Sequence, residues 1–582
     1  MGVIKMSLEK MLCTLGIFDI PIIQLQPPFV VDLLDSNIAL FGSAMSGKTT
    51  FVKTLVNILH KQYDEREEQV FILDFGGSLF EYKDLPLVSA YFDNTNEEYV
   101  KRVFKIMDNI LKDNIKELNG KNYRDSDVQP IHTTFIIDNL NAFMDEPRYT
   151  AYHEKLAKLC RDGLSKGITI VVTAVDTKGV TSYLGSFKQK IAFEMPGDKY
   201  SEIFTGKVGL IGNNPGHGFA NVTVKPEGVT GTFRMNLPYE VQCTLPYRHK
   251  NTNGSADSEE NFIEKVKNKF KFLEDKYQKC VKKYQTFPKE LTREEYEKLK
   301  QYSNDEAKGL KLPVSVGLDY VDFYPVTVDL EQSHVIAIYG KKEFGKTNLL
   351  NLLLSGFAQQ KQQARILFFD DGRNQLESVY NSFKDKIDCK LINKFDEIEL
   401  ALNDGSKKIR KLSPLQQFYV YLNENYLSLD KPNYLADIYG VSKVSSKEYL
   451  TIPDCNVEQA PFTVFVIQSK LVYLNANENK RFINTILPQL VAVAEEKGYL
   501  FIFSDVQKFS DAEQNSFFNN NISTAFLLDN IAEFAGERGQ KTLFGNMDVK
   551  SLKEDYARCE KGDGYFYDVE ADKLSKLKFI KY

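Results

Sequence analysis

At 582 residues, with 43% hydrophobic and 26% charged residues, the chain has the composition of globular protein and more length than one ordinary core can use. Its formal net charge of −5 gives no broad basic surface for a phosphate backbone, so the balance disfavours a nucleic-acid partner. No apolar run approaches the roughly 18 to 20 residues that span a bilayer, there is no signal-peptide pattern, and the seven cysteines contain no C-x-x-C pair, which argues for reduced, structural thiols and against a zinc site.

Residues 1–28 read as a lead-in. Helical periodicity is confined to Ser7 to Leu15, and Pro21, Pro27 and Pro28 imply an extended chain. An apolar run, Ile38 to Phe41, then suits a buried strand. It leads into Gly42-Ser43-Ala44-Met45-Ser46-Gly47-Lys48-Thr49, which fits G-x-x-x-x-G-K-[ST] at every defined position. Thr50 onward is an amphipathic helix, with Phe51, Val52, Leu55, Ile58 and Leu59 at three- and four-residue intervals. Strand, glycine loop and helix in this order make a phosphate cradle. The glycines allow a tight turn, successive N–H groups converge, and the helix N-terminus favours negative charge. Residues Gly42 to Thr50 are therefore the expected nucleotide contacts, with Lys48 reaching the β- and γ-phosphates of ATP and Thr49 holding Mg²⁺.

Downstream, Gln69 to Gly77 is a buried strand ending in a turn at Asp74. His132 to Asp138 is another, and it ends in an acid. Asp138 is the expected second Mg²⁺ residue and Asn139 occupies the place of a general base. An amide can orient water but cannot take its proton, so hydrolysis in the first domain is expected to be slow. Further strands follow at Gly167 to Ala174 and Lys190 to Met195, and the glycine-rich stretch Gly206 to Gly218 reads as a loop or hairpin on the sheet rim. A connector from 251 to 312 carries Lys265, Lys267, Lys269 and Lys271 among Glu259, Glu260, Glu264 and Glu274. This interleaving reads as a solvated helix face.

The loop motif then recurs. A strand from His334 to Tyr339 enters Gly340-Lys341-Lys342-Glu343-Phe344-Gly345-Lys346-Thr347, with Asn348 and a leucine-rich helix beyond it. Lys48 and Lys346 lie 298 positions apart, and the approach to each loop is echoed in Leu15-Gly16-Ile17 and Val316-Gly317-Leu318. Residues Gly340 to Asn348 are expected to bind nucleotide. The strand matching His132 to Asp138, Pro461 to Ile467, ends instead in Gln468-Ser469, with no acid for a metal. A tyrosine- and lysine-rich stretch between Ser413 and Asn456 reads as an insertion. The expected fold class is α/β, two tandem P-loop NTPase domains, each a mainly parallel sheet flanked by helices. The expected boundaries are 1–28 lead-in, 29–250 first domain, 251–312 charged helical connector and 313–582 second, degenerate domain.

With Gly16 to Pro21, Gln24 and Gln26, Asp74-Phe75-Gly76-Gly77, Gly167 to Thr173 and Gly317-Leu318-Asp319 in place, the chain resembles the FtsK/SpoIIIE branch of P-loop ATPases. More closely, it resembles the last two ATPase domains of the EssC/EccC proteins of type VII secretion. That resemblance implies the soluble part of a longer, membrane-anchored motor at the cytoplasmic face of a bacterial membrane. It implies work on small WXG-motif proteins and effectors, contact with other membrane components of the system, and self-assembly into a ring. Such motors carry an acidic pair and a Thr-Gln sensor. Here the equivalents are Asp138-Asn139 with Thr173-Ala174, and Gln468-Ser469 with Ser504-Asp505, so nucleotide binding is better supported than turnover and the second domain is expected to be inactive. Arg148 and Arg161 are the candidates for an arginine finger. The rival reading on the same fold is a DNA translocase or conjugative coupling ATPase, which needs active acid pairs and an electropositive channel; a third makes the second domain an adaptor with a vestigial loop.

Overall fold

The computed structural model describes residues 8–582 apart from 22–23, 95–97, 206–207, 210, 213, 227–233, 236, 248–257, 277–282, 285, 301–309, 321–322, 361–363, 371, 395, 402–406, 413–461, 469–490, 493, 507–520 and 531–558. The polypeptide forms two compact units, Met1–Thr286 and Phe287–Tyr582. Each is built on one ten-stranded sheet.

In chain order the first unit comprises β1 (Leu12–Asp19), β2 (Pro28–Asp32), β3 (Ile38–Phe41), α1 (Lys48–Gln62), β4 (Glu68–Asp74), β5 (Val88–Asp93), α2 (Glu98–Glu117), β6 (His132–Asp138), α3 (Leu140–Asp145), α4 (Thr150–Asp162), β7 (Ile168–Ala174), β8 (Gln189–Phe193), α5 (Tyr200–Ile203), β9 (His217–Asn221), β10 (Pro238–Cys243) and α6 (Glu259–Lys276). The sheet order is β2-β1-β10-β9-β8-β3-β7-β6-β4-β5. From β8 to β5 all neighbours run parallel, and the remaining pairs are antiparallel. Strands β3, β6 and β7 are buried at every residue, as a parallel sheet covered on both faces requires. On one face Val52, Leu55 and Leu59 of α1 pack with Leu40, Ile72 and Ile136. On the other, Phe104 of α2 and Leu156 of α4 pack with Phe41, Phe135 and Ile137.

The lead-in is part of this sheet. Ser7 lies outside the described residues, and the rest of the stretch to Leu15 leads into and begins β1, whose buried Cys13, Leu15 and Phe18 face the core. The irregular spacing has a cause: the register with β2 shifts between Thr14 and Gly16, a bulge that breaks strict alternation. Of the stretch Gly206 to Gly218, expected as a loop or hairpin on the sheet rim, the last two residues, His217 and Gly218, open β9 (His217–Asn221), which is paired inside the sheet.

The division of the molecule falls inside the stretch read as a connector. Phe262, Val266 and Phe270 of α6 are buried in the first unit's core, and Lys53 pairs with Glu259 at 2.7 Å. Lys269 Nζ donates to the His60 and Lys61 carbonyls at 3.0 and 3.1 Å, closing the C-terminus of α1. At the end of the strands remote from the glycine loop, His132 Nδ1 lies 2.5 Å from Glu68 Oε2 with both side chains fully buried. His132 Nε2 lies 3.0 Å from Thr169 Oγ1. The cluster joins β4, β6 and β7, and burial pushes the Glu68 carboxyl above the usual range, with His132 acting against that shift.

The second unit comprises α7 (Arg293–Leu299), β11 (Pro313–Asp319), β12 (Pro325–Asp329), β13 (Val335–Gly340), α8 (Lys346–Gln360), β14 (Ala364–Phe369), α9 (Glu377–Phe383), β15 (Asp388–Ile392), β16 (Asp396–Ala401), β17 (Lys407–Leu412), β18 (Phe462–Gln468), β19 (Tyr499–Val506), β20 (Thr524–Leu528), β21 (Asp563–Asp568) and β22 (Lys573–Phe579). Its sheet order, β12-β11-β22-β21-β20-β13-β19-β18-β14-β15, repeats the first position by position. The bulge recurs between Ser315 and Gly317. Strands β16 and β17 form a separate antiparallel pair. The proposed insertion from Ser413 to Asn456 and Ser469 lie outside the described residues. The expected fold class is thus observed: two mainly parallel sheets flanked by helices.

Candidate nucleotide site

Gly42 to Thr49 joins β3 to α1. Met45 has φ 64° and Gly47 φ 103°, and the left-handed turn at Gly47 is one that only glycine adopts without strain. A Cβ there would also lie 2.7 Å from the Gly216 nitrogen, which donates to the Ser46 carbonyl at 2.8 Å. The first turn of α1 contains no acid, leaving its N-terminal field free to face an anion. Lys48 Nζ folds over the loop and donates to the carbonyls of Gly42 and Ser43 at 2.6 and 2.8 Å. Burial holds its ammonium below the usual lysine range, with Asp138 opposing that shift. Ser46 Oγ is buried inside the loop without a hydrogen-bond partner, and Met45 is 94% exposed at its tip.

Strand β7 lies between β3 and β6, which places Thr173 beside the acid. Thr173 Oγ1 donates to Asp138 Oδ1 at 2.6 Å. On the other side, Ser78 Oγ donates to Asp138 Oδ2 at 3.4 Å and lies 3.3 Å from Thr49 Oγ1. Burial raises the Asp138 carboxyl above its ordinary range. The Thr173 hydroxyl acts against this, Asp74 adds to it, and Lys48 and Ser78 act against it. Thr49, Ser78 and Asp138 thus form a run of hard oxygen donors beside the loop, the donor chemistry a small divalent cation takes. Asp74 supports it from below by accepting the N–H groups of Gly76, Gly77 and Leu79 at 2.9, 2.8 and 2.8 Å.

The second unit repeats the loop and changes the acid side. Lys346 Nζ donates to Gly340 and Lys341 carbonyls at 2.8 and 3.0 Å, Glu343 has φ 69° and Gly345 φ 108°, and the first turn of α8 contains no acid. Asp370 accepts the N–H groups of Gly372, Asn374 and Leu376. It therefore does the work of Asp74. Gln468 ends β18, and its Nε2 donates to Gln375 Oε1 at 2.5 Å. A cavity of about 200 Å³ adjoins this loop, lined by Glu343, Phe344, Gly345, Lys561 and Lys578 among others.

The loop residues, Asp138 and Thr173 were legible in the sequence. Ser78, Gly216 and the paired Gln375 were not. They leave no motif in the sequence, since their contacts are made between segments distant along the chain. Asn139 sits in a left-handed conformation, φ 66°, and its backbone N–H donates to Thr173 Oγ1 at 2.8 Å. The arginine candidates are both held by close neighbours: Arg148 by Glu146 at 2.9 and 3.2 Å, and Arg161 by Asp162 at 2.8 and 3.2 Å. The cysteines among the described residues are free thiols. No helix among the described residues is long and apolar enough to cross a membrane.

No family model matches the chain. It is 24% identical over 414 residues to the type VII secretion system protein EssC of Staphylococcus aureus (strain MRSA252), covering 68% of this chain and 26% of that protein. It is 25% identical over 365 residues to the ESX secretion system protein EccC of Geobacillus thermodenitrificans, covering 60% and 23%. The chain therefore spans about a quarter of the length of these curated relatives. Among solved structures, ATPases 2 and 3 of EssC from Geobacillus thermodenitrificans superpose with a TM-score of 0.61 at 19% identity, covering 99% of this chain and 97% of that one. ATPases 2 and 3 of Thermomonospora curvata EccC, in complex with a signal sequence peptide, superpose with a TM-score of 0.59 at 17% identity, covering 99% and 93%. In sequence, and in fold over nearly its whole length, the chain is similar to the tandem ATPases of the EssC/EccC proteins of type VII secretion.

Proposed function

We propose that the chain is the paired ATP-binding module of a type VII secretion motor and engages small WXG-motif secreted proteins and effectors through a peptide tail. The observation that carries this reading is the duplicated phosphate loop, each copy with a left-handed glycine, a lysine folded over the loop and an acid-free helix N-terminus. In the first unit the loop N–H groups and Lys48 would hold the phosphates, and Thr49 and Asp138 would hold Mg²⁺, which neutralises phosphate charge. Turnover there is slow, because Asn139 offers an amide where a base is needed. The second unit binds without turnover.

The peptide part of the reading draws on the EccC relative solved with a signal sequence peptide. In the first unit a cavity of about 580 Å³ opens along β5, framed by Phe80, Tyr91, Tyr99 and Tyr284. Tyr284 N donates to the Ser89 carbonyl there at 2.7 Å, so at this point the chain's own backbone adds to the sheet edge. Membrane anchoring, contact with other secretion components and ring assembly belong to the longer parent chain in this reading.

The test is to titrate the chain with the C-terminal peptide of a small WXG-motif protein and, separately, with duplex DNA, each with and without Mg-ATP at physiological salt. Saturable peptide binding without DNA binding is expected. Salt-sensitive DNA binding without peptide binding would replace this reading with a DNA translocase.

A further inference from the structure

We infer that the second loop takes its nucleoside triphosphate without a divalent cation, the Gln375–Gln468 amide pair standing where the first unit keeps Ser78 and Asp138. This rests on the reading that both loops bind nucleotide.

The equivalence of the two places follows from backbone geometry. Asp74 accepts the N–H of Leu79 at 2.8 Å, and Asp370 accepts that of Leu376 at 2.8 Å. The residues just before, Ser78 and Gln375, therefore occupy matching positions on the two loops. Asp138 ends β6 level with Asp74. Gln468 ends β18 one residue after Ile467, which pairs with Phe369, so it stands level with Asp370. On the neighbouring strand Gln468 pairs with Ser504, which lies opposite Ile338 as Thr173 lies opposite Leu40.

The chemistry at the two places differs. In the first unit two hydroxyls converge on an anionic carboxylate. In the second, two neutral amides are joined to each other at 2.5 Å. Mg²⁺ dehydrates reluctantly and needs carboxylate and phosphate charge to hold it. An amide dipole already engaged by another amide gives it no anionic anchor. Among the described residues, the adjacent carboxylate is that of Asp370, which accepts three backbone N–H groups.

The charge a cation would bring is supplied by the loop itself. Between its first glycine and its Thr, the first loop carries one formal positive charge, Lys48. The second carries Lys341, Lys342 and Lys346 against Glu343, a balance of two. The extra lysines stand at the positions of Ser43 and Ala44. Glu343 faces Lys561 at 3.8 Å. The second loop is thus adapted to the free triphosphate, and its occupancy does not follow the supply of metal.

The experiment uses the full chain and ATP. Lys48→Ala leaves only the second loop competent, and Lys346→Ala leaves only the first; each is titrated by calorimetry in Mg²⁺ and in EDTA. The expected result is that affinity in Lys48→Ala changes by less than about threefold, whereas in Lys346→Ala it falls at least about tenfold in EDTA. Adding Gln468→Asp to Lys48→Ala should create metal dependence. A measurement independent of any variant is the Mn²⁺ count on the ATP-saturated wild-type chain, expected to be one per two nucleotides. Two Mn²⁺ per chain, equal loss of affinity in EDTA at both loops, or no binding at the second loop would overturn the inference. Failure of the wild-type chain to bind ATP under any condition would instead overturn the functional reading on which it rests.

Discussion

Thr173 Oγ1 donates to Asp138 Oδ1 at 2.6 Å and accepts the backbone N–H of Asn139 at 2.8 Å, so one hydroxyl sets both the buried carboxylate and the chain leaving β6. Replacing Thr173 by Val keeps the shape and removes both bonds. The loss is expected to cost about 1 to 3 kcal/mol. It should also weaken Mg-ATP binding at the first loop while leaving the second unchanged, and Thr173→Ser should restore both. Urea unfolding together with ATP titration of the Lys346→Ala chain checks this.

Asn139 has φ 66°, a conformation asparagine tolerates better than most residues. The residue therefore has a backbone reason to be asparagine. Glu at this position should cost about 1 to 2 kcal/mol of stability and, by supplying a base, raise phosphate release by at least about 100-fold. An unchanged rate in a folded Asn139→Glu chain would mean that the missing base does not limit turnover.

Acid stability should report His60. Its Nδ1 donates to the Val56 carbonyl at 2.8 Å, and its Nε2 accepts the Leu87 N–H at 3.1 Å, which fixes the neutral tautomer. Burial lowers its pKa to about 4; Lys283 and Lys269 add to the shift, and the Val56 carbonyl opposes it. Above the ordinary histidine pKa of about 6.5, folded and unfolded chains both carry the neutral ring, and this contribution is fully present. As pH falls from about 6.5 towards about 4, the unfolded chain takes up a proton that the folded one refuses, so stability declines by up to about 3 kcal/mol. His60→Gln should flatten that slope in unfolding free energies measured across this window.

Gly16 and Gly317 hold matching places beside the bulges of β1 and β11. A Cβ at either would lie 2.3 Å from a backbone carbonyl oxygen, that of Gln242 or Lys578. Because the contact is with backbone in a paired strand, nothing nearby can yield cheaply. Gly16→Ala and Gly317→Ala are each expected to lower stability by about 1 to 3 kcal/mol, each in its own unit, as measured by urea unfolding with a probe in that unit.

The parallel core and both loops were legible because their strands are uninterrupted apolar runs next to a glycine pattern with one physical use. The edge of each sheet was less so. In β1 the bulge at Gly16 breaks the period of two, and proline-rich flanks made the lead-in look extended and separate. In α6 the helical spacing of Phe262, Val266 and Phe270 was masked by the lysines around it, although these three side chains seat the helix on the first unit. Gln468 announced itself by the absence of an acid. Its partner Gln375 did not, because 93 residues separate the two and only the folded sheet brings them together.

Counting ATP bound per chain by equilibrium dialysis, on the wild-type protein and on Lys48→Ala, Lys346→Ala and the double variant, tests the paired-site account most directly. Two equivalents are expected in the wild type, one in each single variant and none in the double variant. A wild-type chain that binds a single ATP, unaffected by loss of Lys346, would contradict it.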